Sequence, residues 1–221
     1  MVADTNANWM STGVVGALHS AGHTVVSLDA RGHGRSDKPH DAHRYSWEAM
    51  ARDVRALYDE LGFDEVVQVG YSMGGVISLM VAATDPRVRR LAVGGIGSGV
   101  LDCGGVDRRV IDLPDLQAAM TGDGAGASPT AKMFRVLADA VRADVAAMHA
   151  VATGLDARPI ETLGDITVPA LVLAGDNDPF AAEPERLAEA LPNGTLAVVP
   201  GDHLMAVVAP AFHTALVDFV R

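Results

Sequence analysis

The chain is built from short apolar runs that alternate with longer segments in which apolar residues recur at helical spacing. Runs of this length, set between polar turns, are typical of buried strands. Because strand-like and helix-like segments take turns, we predict an α/β fold, a mostly parallel sheet with helices on both faces. The predicted strands span residues 24–28, 65–69, 88–93, 170–174 and 195–199.

Helical periodicity and helix end signals place helices between these strands. The clearest helix begins after Ser46, a residue type that caps helix N-termini, and ends before Gly62, a residue type that favours C-termini. Apolar side chains between them recur on one helix face. The other predicted helices span residues 10–21, 72–83, 183–191 and 210–220.

One long stretch, residues 100–168, interrupts the alternation because it contains no convincing strand. Ser128 followed by Pro129 is typical of a helix start, and apolar residues follow it at helical spacing. We therefore predict a core formed by residues 1–99 and 169–221, with a mostly helical insertion between them. Such an insertion either adds packing or forms a cap over an active site.

The strongest chemical signal is the segment Gly-Tyr-Ser-Met-Gly-Gly at 70–75, which matches the pattern G-x-S-x-G. The simplest alternative is a glycine-rich turn with an incidental serine. However, the segment stands directly between a predicted strand and a predicted helix, which is the setting of a nucleophile elbow. The helix start places Ser72 where backbone N–H groups favour a developing negative charge. We predict Ser72 as the nucleophile and the N–H of Met73 as an oxyanion-hole donor.

A serine nucleophile needs a base and an orienting acid, and in this mechanism the acid and then the histidine follow it along the chain. Asp178 follows the fourth predicted strand and His203 follows the fifth, at the strand ends where open α/β sheets place their sites. We predict His203 as the general base and Asp178 as its partner. Asp176, in the same loop, is a competing acid, whereas His213 lies within the last predicted helix and is a poor candidate base.

Other residue types that often carry chemistry are interpreted as structural. The loop at 29–37 contains His33, but its glycines indicate tight backbone geometry rather than catalysis. Cys103 is predicted to be a small, buried or partly buried residue. The eight histidines show no close ligand spacing, so we expect no metal site.

Composition narrows the class of protein. The 221 residues suffice for one domain with a sizeable core, and a net charge of −11 argues against nucleic acid or an anionic membrane as a partner. No membrane-spanning apolar run and no signal-peptide pattern are visible, and a single cysteine suits a reducing compartment. A cytoplasmic protein is expected, and the oligomeric state stays open.

Together, the motifs resemble those of the α/β-hydrolase superfamily. The resemblance implies that the acid is the last residue of a G-x-x-D segment, which favours Asp178 over Asp176, and that the insertion is a cap. It also implies hydrolysis of a small-molecule ester or related acyl compound through an acyl-enzyme, with no cofactor. A haloperoxidase-like or C–C bond hydrolase on the same scaffold is an alternative. The similar segments are DARGHGRSDKP at 29–39, GYSMGG at 70–75, GDND at 175–178 and GDH at 201–203.

The resemblance also implies strands that this sequence lacks. Members of the superfamily begin with three strands before the run at 24–28, and the third ends in a His-Gly motif beside a second oxyanion donor. Here the chain opens with MVADTNANW, and Met1 or Val2 is the candidate second donor. We therefore expect an N-terminally truncated fold with a gap between the strands at 24–28 and 65–69. Direct pairing could close the gap, a partner's strand could fill it, or it could stay partly open. An inactive or weakly active protein is then an alternative function.

Overall fold

A sheet of four parallel strands forms the centre of the protein, with the strands in the order β1-β2-β3-β4. The computed structural model describes residues 2–105, 107–122, 126–155 and 160–221. Each strand coincides to within about two residues with one predicted from the sequence, which confirms the α/β class. The strands are β1 (Val66–Tyr71), β2 (Val88–Gly94), β3 (Ala170–Gly175) and β4 (Gly194–Val199).

Helices surround the sheet. The helix predicted at 10–21 is shorter than expected, because Gly13, with a φ of 88°, separates α1 from a π-helical turn at Asn6–Met10. The described residues form nine α-helices, α1 (Val14–Ser20), α2 (Trp47–Leu61), α3 (Met73–Ala82), α4 (Gly99–Cys103), α5 (Leu113–Thr121), α6 (Pro129–Ala140), α7 (Val145–Gly154), α8 (Pro184–Ala190) and α9 (Pro210–Val220).

Each face of the sheet has its own hydrophobic core. In β2, Leu91 and Val93 belong to the core that α2, α3 and α8 cover, whereas Ala92 belongs to the core that α1 and α9 cover. The same alternation recurs in β3, since successive side chains of a strand point to opposite faces. Burial on both faces explains why the central strands are continuous apolar runs rather than alternating ones. Helices on both faces are therefore confirmed.

The prediction of a strand at 24–28 is wrong. Residues 23–30 run without strand pairing, and Val26 and Leu28 are exposed. An open slot with a cavity of about 440 Å³ lies between this segment and β1. An apolar run becomes a strand only when a neighbouring backbone lies within hydrogen-bonding distance, and the slot keeps β1 too far away. Of the three arrangements expected for this gap, the structure has the open one.

Among the described residues, β1 pairs with another strand on one side only, because the slot lies on its other side. The N–H of Val66 donates to the carbonyl of Arg87, and the N–H of Ser72 donates to that of Gly94, both toward β2. Alternate residues of a parallel strand direct their backbone groups to opposite neighbours. The backbone groups of Val67 and Val69 therefore face the slot.

The predicted insertion is helical where the structure describes it. Its helices α5, α6 and α7 are capped by the side chains of Asp112, Ser128 and Asp144, each of which accepts a hydrogen bond from an N–H of the first turn. Between β2 and β3, the described residues form helices and turns and no strand. None of the helices in the described part of the chain is both long and apolar enough to cross a bilayer.

Candidate active site

Ser72 occupies a strained turn between β1 and α3. Its φ of 54° and ψ of −121° lie in a region that side-chain-bearing residues rarely adopt. Hydrogen bonds hold this conformation, because the N–H of Ser72 donates to Gly94 while its carbonyl accepts from Gly75 and Val76. Strain of this kind persists only where the surroundings enforce it, and it concentrates at functional sites.

Gly70 is the residue that lets α3 approach β1 so closely. A Cβ at this position would lie 2.1 Å from the carbonyl oxygen of Gly74 and 2.4 Å from Oγ of Ser78. The turn that carries Ser72 therefore depends on the absence of a side chain at Gly70.

We expect Gly70→Ala to lower the free energy of unfolding by about 1–3 kcal/mol or more, because overpacking against backbone cannot be relieved by a rotamer change. Urea unfolding followed by circular dichroism measures the loss. Gly74→Ala is the matched control, since its Cβ would meet nothing within 4 Å. Equal stabilities of the two variants would contradict the close approach.

The structure brings Ser72, His203 and Asp178 together. Nε2 of His203 lies 3.0 Å from Oγ of Ser72, and Nδ1 of His203 lies 2.9 Å and 3.0 Å from the two carboxylate oxygens of Asp178. Asp178 lies in the loop after β3 and His203 in the loop after β4, so parallel strands bring both side chains to the edge of the sheet where β1 leads into Ser72. Asp178 and His203 are buried, which strengthens the electrostatic interaction between them.

Asp176, the competing acid, has a different set of contacts. Its Oδ1 accepts hydrogen bonds from the N–H of Gly201 and the side-chain amide of Asn177, each at 2.9 Å. The N–H of Asn177 in turn donates to the carbonyl of Gly201. Asp176 therefore joins the loop after β3 to the loop that carries His203. The carboxylate that contacts the imidazole is that of Asp178.

Two aromatic residues that the sequence did not single out hold His203 in place. The hydroxyl of Tyr71 donates to the backbone carbonyl of His203 at 2.8 Å, and the Phe180 ring centroid lies 4.6 Å from that of the imidazole. Burial, with the nearby carboxylates of Asp178 and Asp202, raises the pKa of Tyr71 well above its usual value, so the hydroxyl stays protonated as a donor. Tyr71 directly precedes Ser72, and Phe180 lies two residues after Asp178. This proximity in sequence to predicted site residues is the signal that could have found them.

We expect Tyr71→Phe to lower kcat about tenfold with little change in KM, because the buried carbonyl of His203 loses its donor, at a cost of about 1–3 kcal/mol. Steady-state kinetics on a chromogenic ester measures both constants. Tyr58→Phe is the control, since the Tyr58 hydroxyl bonds to Gln68 away from the site. A kcat equal to that of the unchanged protein would show that Tyr71 does not position the histidine.

The predicted oxyanion donor, the N–H of Met73, belongs to the first residue of α3. The first N–H groups of a helix have no intrahelical acceptor, and the N–H of Met73 is one of them. The dipole of α3 adds partial positive charge at the same place. Of the two candidates for a second donor, Val2 is buried in the core that α2 and α3 share, and Met1 lies outside the described residues.

A small pocket opens beside Ser72 and Met73. Its volume is about 40 Å³, and its walls are mostly apolar. Five of the lining residues come from the predicted insertion, namely Gly105, Asp107, Ile111, Phe134 and Leu155. The other lining residues are Trp47, Val76, Gly95, Ile96 and Phe180.

A cluster of charged side chains ties the start of the insertion to the residues that follow Asp178. Arg186 of α8 donates to both carboxylate oxygens of Asp102 at 2.9 Å, and this hydrogen bonding holds the pKa of Asp102 below its usual value. Ser98 accepts from Arg109 at 2.8 Å and donates to Glu183 at 2.9 Å. These contacts join segments far apart in sequence, so no local sequence pattern could predict them.

The residues interpreted as structural lie outside the Ser72 cluster. His33 is buried, with Nδ1 3.0 Å from the carbonyl oxygen of Arg31. Cys103, the last residue of α4, is a half-buried free thiol. His213 lies in α9, with Nε2 3.0 Å from the carbonyl oxygen of Val207.

Comparison with known proteins gives a consistent set of relatives. The family model of the α/β hydrolase fold matches residues 3–103. A Variovorax paradoxus (strain S110) protein that carries the name of a carbamate hydrolase, RutD, is 32% identical over 93% of this chain and 84% of its own length. A hydrolase from Pseudomonas aeruginosa PA01 superposes with a TM-score of 0.72 at 25% identity, over 96% of this chain and 84% of that one. An esterase from Exiguobacterium antarcticum gives 0.75 at 22% identity, over 100% of this chain and 90% of that one, a likeness in fold.

Proposed function

The chain belongs to the α/β-hydrolase fold family, and from that premise we propose that it is a serine hydrolase that cleaves an ester or related acyl compound. The observation that carries the proposal is the unbroken contact from Oγ of Ser72 through the imidazole of His203 to the carboxylate of Asp178. Such a chain of contacts converts a weakly nucleophilic hydroxyl into an attacking group.

In the first half of the proposed reaction, Oγ of Ser72 attacks the substrate carbonyl carbon while Nε2 of His203 takes the hydroxyl proton. The carbonyl oxygen becomes an oxyanion, and the N–H of Met73 with the dipole of α3 stabilises it. Asp178 keeps the imidazole in the correct tautomer and stabilises the imidazolium. His203 then gives the proton to the leaving group, and the acyl group remains on Ser72.

In the second half, water takes the place of the leaving group. His203 removes a proton from this water as it attacks the acyl-enzyme, and returns the proton to Oγ of Ser72 when the acid product departs. Both halves are acyl transfers through one pair of side chains, so no change of oxidation state occurs. The N–H of Met73 and the dipole of α3 also stabilise the oxyanion that forms when water attacks the acyl-enzyme.

The insertion at 100–168 is proposed to act as a cap over this site. The support is that Ile111, Phe134 and Leu155 form part of the pocket wall beside Ser72. The charged cluster at Asp102 and Arg109 anchors the start of the insertion to α8. A cap of this kind separates the reacting carbonyl from bulk solvent while admitting the single water of the second half-reaction, and the lower polarity strengthens the electrostatic interactions around the site.

A serine-directed probe tests the proposed function. After treatment with a fluorophosphonate, we expect the intact protein to gain the mass of one adduct, and peptide mapping to place it on Ser72. Turnover of 4-nitrophenyl acetate is expected to fall in proportion to labelling. Protein unfolded in urea is the control and is expected to remain unlabelled. An adduct on another serine, or turnover that survives full labelling, would overturn the assignment.

A further inference from the structure

The short segment that follows Asp178 orients its carboxylate. The N–H of Phe180 donates to Oδ1 of Asp178 at 2.9 Å, and this bond caps a 3₁₀ turn at Pro179–Ala181. Both oxygens of the same carboxylate lie within hydrogen-bonding distance of Nδ1 of His203. The direction in which the carboxylate faces the imidazole therefore depends on where this turn is held.

Just after the turn, Glu183 adopts a backbone conformation that it would not hold unaided. Its φ of 46° and ψ of 54° lie in the left-handed region, which is uncommon for a residue with a side chain. The next residue is Pro184, and a residue before proline favours an extended conformation. Strain of this kind persists only where the surroundings enforce it. Contacts between Glu183 and other parts of the chain must therefore stabilise the turn.

Ser98, which follows β2 and is fully buried, makes two hydrogen bonds to this segment. Its N–H donates to the carbonyl of Ala182 at 2.8 Å, and its Oγ donates to Oε2 of Glu183 at 2.9 Å. Ser98 stands at the N-terminus of α4, a helix described throughout, yet its side chain caps none of the N–H groups of that helix. Hydrogen bonds from Ser98 and Arg186 hold the pKa of Glu183 below its usual value, so the carboxylate is ionised and accepts both.

The backbone around Ser98 packs directly against the segment that Ser98 binds. A Cβ at Gly97 would lie only 2.2 Å from the carbonyl oxygen of Ala182. Oγ of Ser98 also accepts from Nη2 of Arg109 at 2.8 Å, and its own hydrogen is directed to Glu183. Because the two segments are in such close contact, a shift of one displaces the other.

Resting on the function proposed above, we propose that Ser98 and Glu183 form a positioning pair for Asp178. The hydrogen bond between them holds Glu183 in its left-handed conformation. That conformation keeps the 3₁₀ turn where the N–H of Phe180 orients the carboxylate of Asp178. The pair acts on the reaction through Asp178, which sets the tautomer of His203, and not through contact with the substrate.

Two substitutions of Glu183 isolate the effect of the hydrogen bond. Glu183→Ala removes the acceptor and is expected to lower kcat for 4-nitrophenyl acetate about tenfold or more, with a change in KM below about twofold, because misplacing a working group slows the chemical step. Glu183→Gln keeps an oxygen that accepts from Ser98 and is expected to retain kcat within about threefold. Glu185→Gln, at an exposed position in the same helix α8, is the control and is expected to keep full activity. An unchanged kcat in Glu183→Ala, or an equal loss in Glu183→Gln, overturns the proposal.

The Asp178→Asn variant tests whether the pair acts through Asp178. In this background Glu183→Ala is expected to lower kcat by less than about twofold, because the carboxylate that the pair orients is already absent. Ser98→Ala is expected to match Glu183→Ala in both backgrounds, since either substitution breaks the same hydrogen bond. A further loss of about tenfold in the Asp178→Asn background overturns the proposal, because the two effects would then be independent.

Folding and labelling of Ser72 are measured in the same preparations. The side chain of Glu183 is 52% exposed, so Glu183→Ala carries the test if the buried substitution Ser98→Ala unfolds the protein. Unfolding of Glu183→Ala, detected by circular dichroism, overturns the proposal, because the pair would then support the whole fold. If fluorophosphonate labels the unchanged protein and Glu183→Ala keeps its kcat, the positioning pair alone is wrong. If the unchanged protein shows neither labelling nor turnover, the serine hydrolase is wrong and the positioning pair with it.

Discussion

Replacing Ser72 or His203 by alanine is expected to reduce kcat for ester hydrolysis by about 10⁶-fold in each case, and the double variant is expected to lose no more than either single variant. The two side chains act as one unit, because the hydroxyl is nucleophilic only while Nε2 of His203, 3.0 Å away, accepts its proton. Without the imidazole the hydroxyl keeps its proton, and without the hydroxyl the imidazole has no nucleophile to deprotonate. The measurement is kcat for 4-nitrophenyl acetate after subtraction of the uncatalysed rate.

Controls separate this loss from a loss of folded protein. Ser11→Ala and His19→Ala remove the same functional groups at exposed positions and are expected to keep full activity. Melting temperatures of all variants are compared with that of the unchanged protein. Ser72→Ala is expected to leave the melting temperature unchanged, because the truncation removes few contacts. Losses that multiply in the double variant would show that the two residues contribute independently, and the proposed mechanism would be wrong.

Asp178→Asn is expected to lower kcat by about 10⁴-fold, whereas Asp176→Asn is expected to lower it by about tenfold or less. The carboxylate of Asp178 accepts from Nδ1 of His203, and an asparagine side chain can present its amide N–H instead, which favours the wrong tautomer. At Asp176 the bonded atom accepts from two donors, and the amide oxygen of asparagine can still do so.

The comparison between the two aspartates has an internal check. Both lie in the loop after β3, so a general disturbance of that loop would affect both variants alike. Equal losses would therefore indicate a loop effect, and a larger loss for Asp176→Asn would exchange the proposed roles. Fluorophosphonate labelling rates, which depend on the activated hydroxyl, are expected to follow the same order as kcat.

The sequence was informative wherever the physical cause was local. Ser46 caps α2 through a hydrogen bond from the Ala49 N–H, and Gly62 ends that helix with a φ of 65°, as the residue types indicated. The buried strands β2 and β3 were recognisable because covering both faces requires a continuous apolar run. Order along the chain placed Asp178 and His203 after successive strands, which is how the structure brings them to Ser72.

The predictions failed where the outcome depended on a distant part of the chain. The run at 24–28 has the composition of a strand, but pairing requires a neighbour and the slot removes it. The contact of Arg186 with Asp102 spans 84 residues, so no spacing rule could suggest it. The pocket volume was equally unpredictable, because it depends on how Phe134, Leu155 and Trp47 pack together rather than on their hydrophobicity.

The open slot divides the amides of β1 and of Ser72, the residue after it, into two classes of hydrogen exchange. Those of Val66 and Ser72 are held by bonds of 2.9 Å and 2.7 Å toward β2, so their exchange requires the sheet to open. Those of Val67 and Val69 face the slot, where solvent reaches them while the fold stays intact. In deuterated buffer, uptake therefore alternates from one residue to the next. The amide hydrogens on the slot side of β1 therefore exchange as readily as those of a strand at the edge of a sheet.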